Sequence, residues 1–225
     1  MLEFEFRQLV EQTLLVFAAL FPILNPVGSA PFFMALTQGA TAEERQRLAR
    51  TVGWNAFLLL LGSFLFGTYV IEFFGVSVPV VKLAGGILLC GMAWTMLRDP
   101  GTDGPDSGPP LSAAILKARA FYPLTMPLTV GPGSISVAIT LGVQHPHSLR
   151  SLAVHLSASL LGILLLGMAV WLTYRYASRL VRLLGPTGTS VMLRLSAFIL
   201  MCIGVQIAWN GLSALLGTVP TIRPN

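Results

Sequence analysis

Two stretches decide the fold: FPILNPVGSAP, from Phe21 to Pro31, and YPLTMPLTVGP, from Tyr122 to Pro132. Pro22, Pro26 and Pro31 recur as Pro123, Pro127 and Pro132, each 101 residues later. Proline has no N–H, and its ring clashes with the carbonyl four residues back, so it breaks or kinks a helix. Pro26 frees the carbonyl of Pro22 and Pro31 that of Val27; Pro127 frees Pro123 and Pro132 frees Leu128. Both stretches nevertheless lie in long uncharged windows, with no Asp, Glu, Lys or Arg between Glu11 and Glu43 or from Ala120 to Leu149. The pattern is that of an apolar helix broken twice at corresponding places.

Outward from these stretches, the chain continues in the same vein. Of its 225 residues 54% are hydrophobic and 10% charged, against roughly 25% charged in a soluble domain. Thr51–Ile71, Ser151–Tyr174 and Leu195–Ile222 carry no charge, and Phe73–Leu97 carries only Lys82. A bilayer core takes about 20 apolar residues per helix. Six spans follow, at about 9–36, 50–71, 78–97, 115–142, 150–174 and 191–216. This is an all-α membrane protein, a single integral membrane domain over 1–225. Disordered, collagen-like and secreted disulfide classes are excluded. The segments are too long, and lack the alternation, for barrel strands. Cys90 and Cys202 fall mid-span and read as buried apolar thiols. Glu3 and Glu5 offset Arg7, which argues against a cleaved signal peptide over the first 30 residues.

The recurrence extends past the prolines. Gly62 and Gly67 return as Gly162 and Gly167, and KLAGGILLCGMAW from Lys82 aligns with RLSAFILMCIGVQ from Arg194. That second register pairs Lys82 with Arg194 and Cys90 with Cys202, 112 residues apart. Three spans per unit invert the second copy, so the sequence predicts a three-plus-three inverted repeat with helices 1 and 4 broken at their Pro/Gly motifs. Repeat 1 covers about 9–97 and repeat 2 about 115–216. The Pro-, Gly- and Asp-rich stretch 98–114 links them.

The net charge of +5 does not point to nucleic acid, because the basic residues follow a topology pattern. Nine Lys/Arg lie in loops 37–49, 98–114 and 175–190 or at their edges, and three lie on the other side. Positive charge stays in the cytoplasm, which places both termini in the periplasm.

Unwound backbone at membrane depth is tolerated where it is buried in protein or lines a cavity. Pro31 and Pro132 suit the first position of a restarting helix, leaving N–H groups at Phe32-Phe33 and Gly133-Ser134 for an anion. The freed carbonyls would meet a cation, and Asn25, Ser29, Thr125, Thr129, Ser134 and Ser136 add neutral hydrogen-bonding groups. The alternative is a pair of structural kinks. Lys82 and Arg194 lie near span ends, where they either snorkel or brace a broken helix and so gate it. Asn55, Gln206 and Asn210 suit hydrogen bonds between helices. His155 has no acidic partner in its span for a proton relay, and His145 and His147 read as solvated loop residues. No metal, cofactor or catalytic residue is expected. HExxH, GxSxG, P-loop and intramembrane carboxylate-pair motifs are missing from the sequence.

NPVGSAPFFMALT, FGVSVPVVKLAGGILL, PLTVGPGSIS and RLSAFILMCIGVQIAWNGL resemble the motif blocks of the MarC family of bacterial inner-membrane proteins, over about residues 5–218. The resemblance implies an inner-membrane location, two three-span repeats and kinship with lysine-exporter-like transporters. It also implies carriage of small neutral amino acids such as glycine and alanine. Matched by motif, the substrate-binding positions are Asn25, Gly28 and Ser29, with Thr129, Gly131, Gly133 and Ser134. Pro26, Pro31, Pro127 and Pro132 are the structural breaks. The family usually has glycine two or three residues after the basic position of span six, where this chain has Ser196-Ala197. The expectation is a secondary transporter for a small zwitterion, embedded in lipid, with a proton or sodium ion as coupling ion. A channel for a small polar solute and a non-transporting membrane protein are the alternatives; the oligomeric state stays open.

Overall fold

The computed structural model describes residues 2–37, 39–98, 118–143 and 149–217. The expected linker, beyond Arg98, and the histidines at 145 and 147 lie outside them. Every regular element among the described residues is helical: α1 (Leu2–Leu24), α2 (Pro26–Leu36), α3 (Ala42–Phe73), α4 (Val78–Arg98), α5 (Ala120–Thr129), α6 (Pro132–Gly142), α7 (Leu149–Arg175) and α8 (Ala177–Gly217). Five helical stretches are long and apolar enough to cross a bilayer: Phe6–Met34, Ala42–Phe73, Val78–Arg98, Arg150–Arg175 and Thr187–Gly217. The α5–α6 pair, bent by 71°, makes a sixth when counted as one span.

Local chemistry sets the ends. Thr41 opens α3 with a capping box: its hydroxyl accepts from the Glu44 N–H at 3.2 Å while the Glu44 carboxylate accepts from the Thr41 N–H at 2.8 Å. At the other end Gly75 takes φ +66°, and the N–H groups of Val76 and Gly75 donate to Ile71 and Glu72, closing the helix in a Schellman turn. Gly185, at φ +65°, bends α8 into a first section and a spanning section. Residues 177–184, expected as part of a loop over 175–190, are therefore helical, and the turn onto the span is made by a residue without Cβ.

Inside and outside are reversed relative to a soluble protein only in what covers the outside. The inward face of α3 is Ala49, Val52, Ala56, Leu60 and Phe64, and that of α7 is Ile163, Leu166, Val170 and Tyr174, both at helical spacing. The outward faces carry Leu58, Phe66, Tyr69, Leu161, Leu165, Phe198 and Trp209, all exposed. Apolar surface on this scale belongs in lipid. Cys202 also faces outward, so it is not the buried thiol the sequence suggested, whereas Cys90 is half-buried and its thiol reaches the Met201 carbonyl at 3.7 Å.

Association of helices in lipid depends on close packing, so small residues mark the crossings. At the α3–α7 crossing, a Cβ on Gly53 would sit 2.8 Å from the Gly167 carbonyl, and one on Gly167 would sit 2.9 Å from the Gly53 carbonyl. At the α4–α8 crossing, a Cβ on Gly86 would sit 2.6 Å from the Gly204 carbonyl and one on Gly204 3.0 Å from the Gly86 carbonyl.

Candidate functional site

The first break is one residue long. Asn25, at φ +42°, separates α1 from α2. Its N–H still donates to the Phe21 carbonyl at 2.9 Å, and its carbonyl accepts from the Ser29 N–H at 3.0 Å. Its side-chain Oδ1 accepts from the Gly28 N–H at 3.1 Å, so Asn25 caps the new helix from its own position. Asparagine is among the few residues that tolerate this left-handed conformation. Pro26 therefore occupies the first position of α2, and Pro31 lies inside it. This corrects the expectation of a restart at Pro31. Phe32 and Phe33 fall in the second turn, where N–H groups belong to the helical ladder. The Asn25 Nδ2 is buried without a hydrogen-bond partner among the described residues.

The second break is longer. Tyr122 and Met126 are extended, at φ/ψ of −120/122° and −122/124°, and each precedes a cis proline. The units Tyr122-Pro123-Leu124-Thr125 and Met126-Pro127-Leu128-Thr129 are near copies. In each, the threonine hydroxyl folds back on the carbonyl five residues earlier, Thr125 on Ala120 at 2.6 Å and Thr129 on Leu124 at 2.7 Å. The Val130 N–H likewise reaches the Thr125 carbonyl at 2.8 Å. Regular helix resumes only at Pro132, with Gly131 as an N-cap that has no side chain to offer. The Gly133 and Ser134 N–H groups thus open α6 unpaired within the helix.

The two breaks meet at a cavity of about 40 Å³. A water needs roughly 10–15 Å³ measured this way, so the space holds a few waters or a very small solute. Ser29, Thr129, Gly131 and Ser134 line it, with Leu89 and Met92 from α4. The other three predicted binding positions sit elsewhere. Asn25 and Gly28 pack together against Ser196 of α8, whose Cβ would lie 2.6 Å from a Cβ on Gly28. Ser196 of α8 thus touches the first break. The α-carbon of Gly133 backs onto Leu89, 3.1 Å from the place of a Cβ, and Leu89 itself lines the cavity. Lys82 is half-buried and Arg194 exposed; neither makes a hydrogen bond or ion pair among the described residues, so neither braces a broken helix by such a bond.

Tyr174, which the sequence reading passed over, joins the breaks. It is 1% exposed, with its hydroxyl 2.9 Å from that of Thr129, while its ring stacks on Phe33 with centroids 4.5 Å apart. Because the Thr129 hydroxyl already donates to Leu124, Tyr174 is the donor to Thr129. The spacing Ile163, Leu166, Val170, Tyr174, Ala177 was the available signal, since it marks one continuous inward face. Asn55 adds a link from α3, donating to Thr125 at 3.3 Å.

The far ends of both half-helices are held from other elements. Arg119 donates to the Leu36 carbonyl at 3.0 Å, and Arg45 donates to those of Thr37 and Ala40 at 3.3 and 3.2 Å, at the end of α2. His155 lies 3.3 Å from the Leu141 carbonyl at the end of α6. Its observed place is that of a helix cap.

The sequence model of MarC family integral membrane proteins matches residues 10–216. Among curated proteins, the chain is 30% identical to the UPF0056 membrane protein YhcE of Escherichia coli, over 88% of this chain and 91% of that one. It is 32% identical to a UPF0056 membrane protein of Methanocaldococcus jannaschii, over 90% and 97%, and 27% identical to the UPF0056 inner membrane protein MarC of Escherichia coli, over 88% and 93%. No solved structure matches the chain.

Proposed function

The chain belongs to the MarC family of integral membrane proteins, and from that premise we propose that it is a secondary transporter for a small neutral amino acid of the glycine or alanine kind. The observation that carries this reading is the small cavity between the two breaks, lined by Ser29, Thr129, Gly131 and Ser134. The uncapped N-terminus of α6 supplies N–H groups and a positive dipole end for a carboxylate. The Leu128 carbonyl, whose helical partner would be the N–H that Pro132 lacks, supplies a negative end for an ammonium. Among the described residues none of the lining is charged, which suits a solute that brings both charges itself. A volume of about 40 Å³ leaves room for little beyond a methyl group.

Transport proceeds by alternating access, with the cavity closed between openings to either side and a proton or sodium gradient as drive. The proposed architecture is the three-plus-three inverted repeat, with both termini periplasmic in the bacterial inner membrane. The pairing of α3 with α7 and of α4 with α8 supports it, since a two-fold exchange of the repeats maps each of these pairs onto itself. The test is labelled alanine and glycine flux into proteoliposomes, with and without proton and sodium gradients. Saturable counterflow is expected. Single-channel currents without counterflow, or no flux of either solute by a folded protein, would overturn the proposal.

A further inference from the structure

We propose that the groove between α3 and α7 is a binding site for one anionic phospholipid. The groove is open, with a volume of about 980 Å³, and lies on the outer face of the bundle, away from the cavity between the breaks. It exists because Gly53 and Gly167 let the two backbones touch and leave no side chains above the crossing. Phe57, Leu164 and Met168 give it an apolar floor and wall, and Trp54 and Trp171 flank it.

Charge is confined to one end. Arg47, Arg50 and Arg175 stand there together, with Glu43 as the single acid of the lining. Glu43 is taken by Arg47 at 2.7 Å. Arg50 has no hydrogen bond or ion pair among the described residues, and Arg175 lies over the faces of Trp171 and Tyr176 at 5.5 and 5.9 Å. Two guanidinium groups without an acidic partner thus converge where a phosphate would sit, and arginine forks match phosphate oxygens.

The dimensions fit a lipid in one leaflet. From Arg175 to Leu164 the groove follows α7 for eleven residues, about 16 Å at 1.5 Å per residue. Half of a hydrocarbon core is roughly 15 Å. A headgroup phosphate on Arg50 and Arg175 therefore lays an acyl chain along the apolar wall, with the tryptophans at interface depth where their rings are favoured. Basic pockets between helices on the cytoplasmic side bind anionic headgroups on these principles, and this is the side to which the arginine-rich loops were assigned.

Trp54 and Trp171 report on the site directly. In a Trp94→Phe/Trp209→Phe background, the protein is reconstituted in phosphatidylcholine and titrated with brominated phosphatidylglycerol or brominated phosphatidylcholine. Saturable quenching at several-fold lower mole fraction of brominated phosphatidylglycerol is expected, and Arg50→Gln/Arg175→Gln should bring the two lipids level. Equal quenching by both lipids in the unmutated-arginine protein would overturn the proposal. So would a preference that survives the arginine changes in a protein of unaltered helicity. Protection from both lipids, with two copies per particle by photobleaching, would assign the groove to a second chain instead.

Discussion

Phe21–Pro31 and Tyr122–Pro132 carry three prolines in one register, yet they fold differently. The first interrupts its helix for a single residue; the second departs from helical geometry at Tyr122 and again at Met126, and α5 and α6 meet at a bend of 71°. The position that differs most is the residue before the middle proline, Asn25 in one and Met126 in the other. Asparagine accepts φ +42° and caps the Gly28 N–H with its own side chain. Methionine can do neither, and Met126 is extended. The second half compensates with Thr125 and Thr129, whose hydroxyls reach back to carbonyls, where the first half has Leu24 and Gly28. The outcome is one helix start closed by its own cap and one left open. Matched prolines can thus fix where the chain breaks while the open N–H groups fall to one break only.

The largest effect is expected at Gly131. A Cβ there has ordinary clearance, 3.5 Å from the Pro127 carbonyl and 3.7 Å from the Met92 sulfur, so alanine fits. The added methyl groups of Gly131→Val would occupy the cavity. Flux in proteoliposomes should fall to background with the protein still inserted and helical, whereas Gly131→Ala should retain measurable flux. Wild-type flux in Gly131→Val would remove the cavity from the substrate path.

Asn25→Ala comes next. It loses the cap, worth about 1 kcal/mol, and with it the local side-chain hydrogen bonding by which asparagine offsets left-handed backbone, roughly another 1 kcal/mol. Asn25→Gly keeps the backbone at ease and should lose only a few tenths. Unfolding midpoints in detergent should rank wild type, Gly, Ala in that order, while Met126→Leu stays near wild type. If Asn25→Gly and Asn25→Ala unfold together, the left-handed cap is not what shortens the first break.

Tyr174→Phe removes the hydroxyl that meets Thr129 but keeps the stack on Phe33. One hydrogen bond to the buried Thr129 hydroxyl is lost, at a cost of about 1 kcal/mol. Stability should drop by that amount and the apparent affinity for alanine should weaken, since Thr129 lines the cavity. An unchanged midpoint and affinity would mean that the breaks are held together by packing alone.

Asn55→Ala is the mildest change. Hydrogen bonds between helices in lipid average about 0.6 kcal/mol, and this one, at 3.3 Å, meets a threonine whose hydroxyl is already engaged with Ala120. A loss of that size in stability, with flux kept, is expected; abolished flux would make the α3 contact part of the transport path.

Much of this was legible in the sequence. Charge-free windows located the spans, because bilayer thickness dictates their length, though α3 starts at Ala42, eight residues before the expected 50, because its first two turns are charged. Proline register located both breaks, because a missing N–H acts whatever surrounds it. Where helix would resume was harder to read: a proline can begin a helix or lie within one, and at Pro26 and Pro31 the choice depended on a side-chain cap. Tyr174 was hidden by its place beside Arg175 and Tyr176, where an aromatic residue reads as an interface anchor. Gly133 matched the binding motif, but its neighbour is Leu89 of α4, a contact that no local pattern announces.

The central claim is that the open start of α6, and not the capped start of α2, receives the substrate carboxylate. Solid-state NMR can read this directly, by dipolar recoupling between carboxyl-¹³C alanine and protein amide ¹⁵N in proteoliposomes. The account predicts saturable contacts at the Gly133 and Ser134 amides and none at Gly28. Contacts at Gly28 or Val27, or no saturable contact at either helix start, would contradict it.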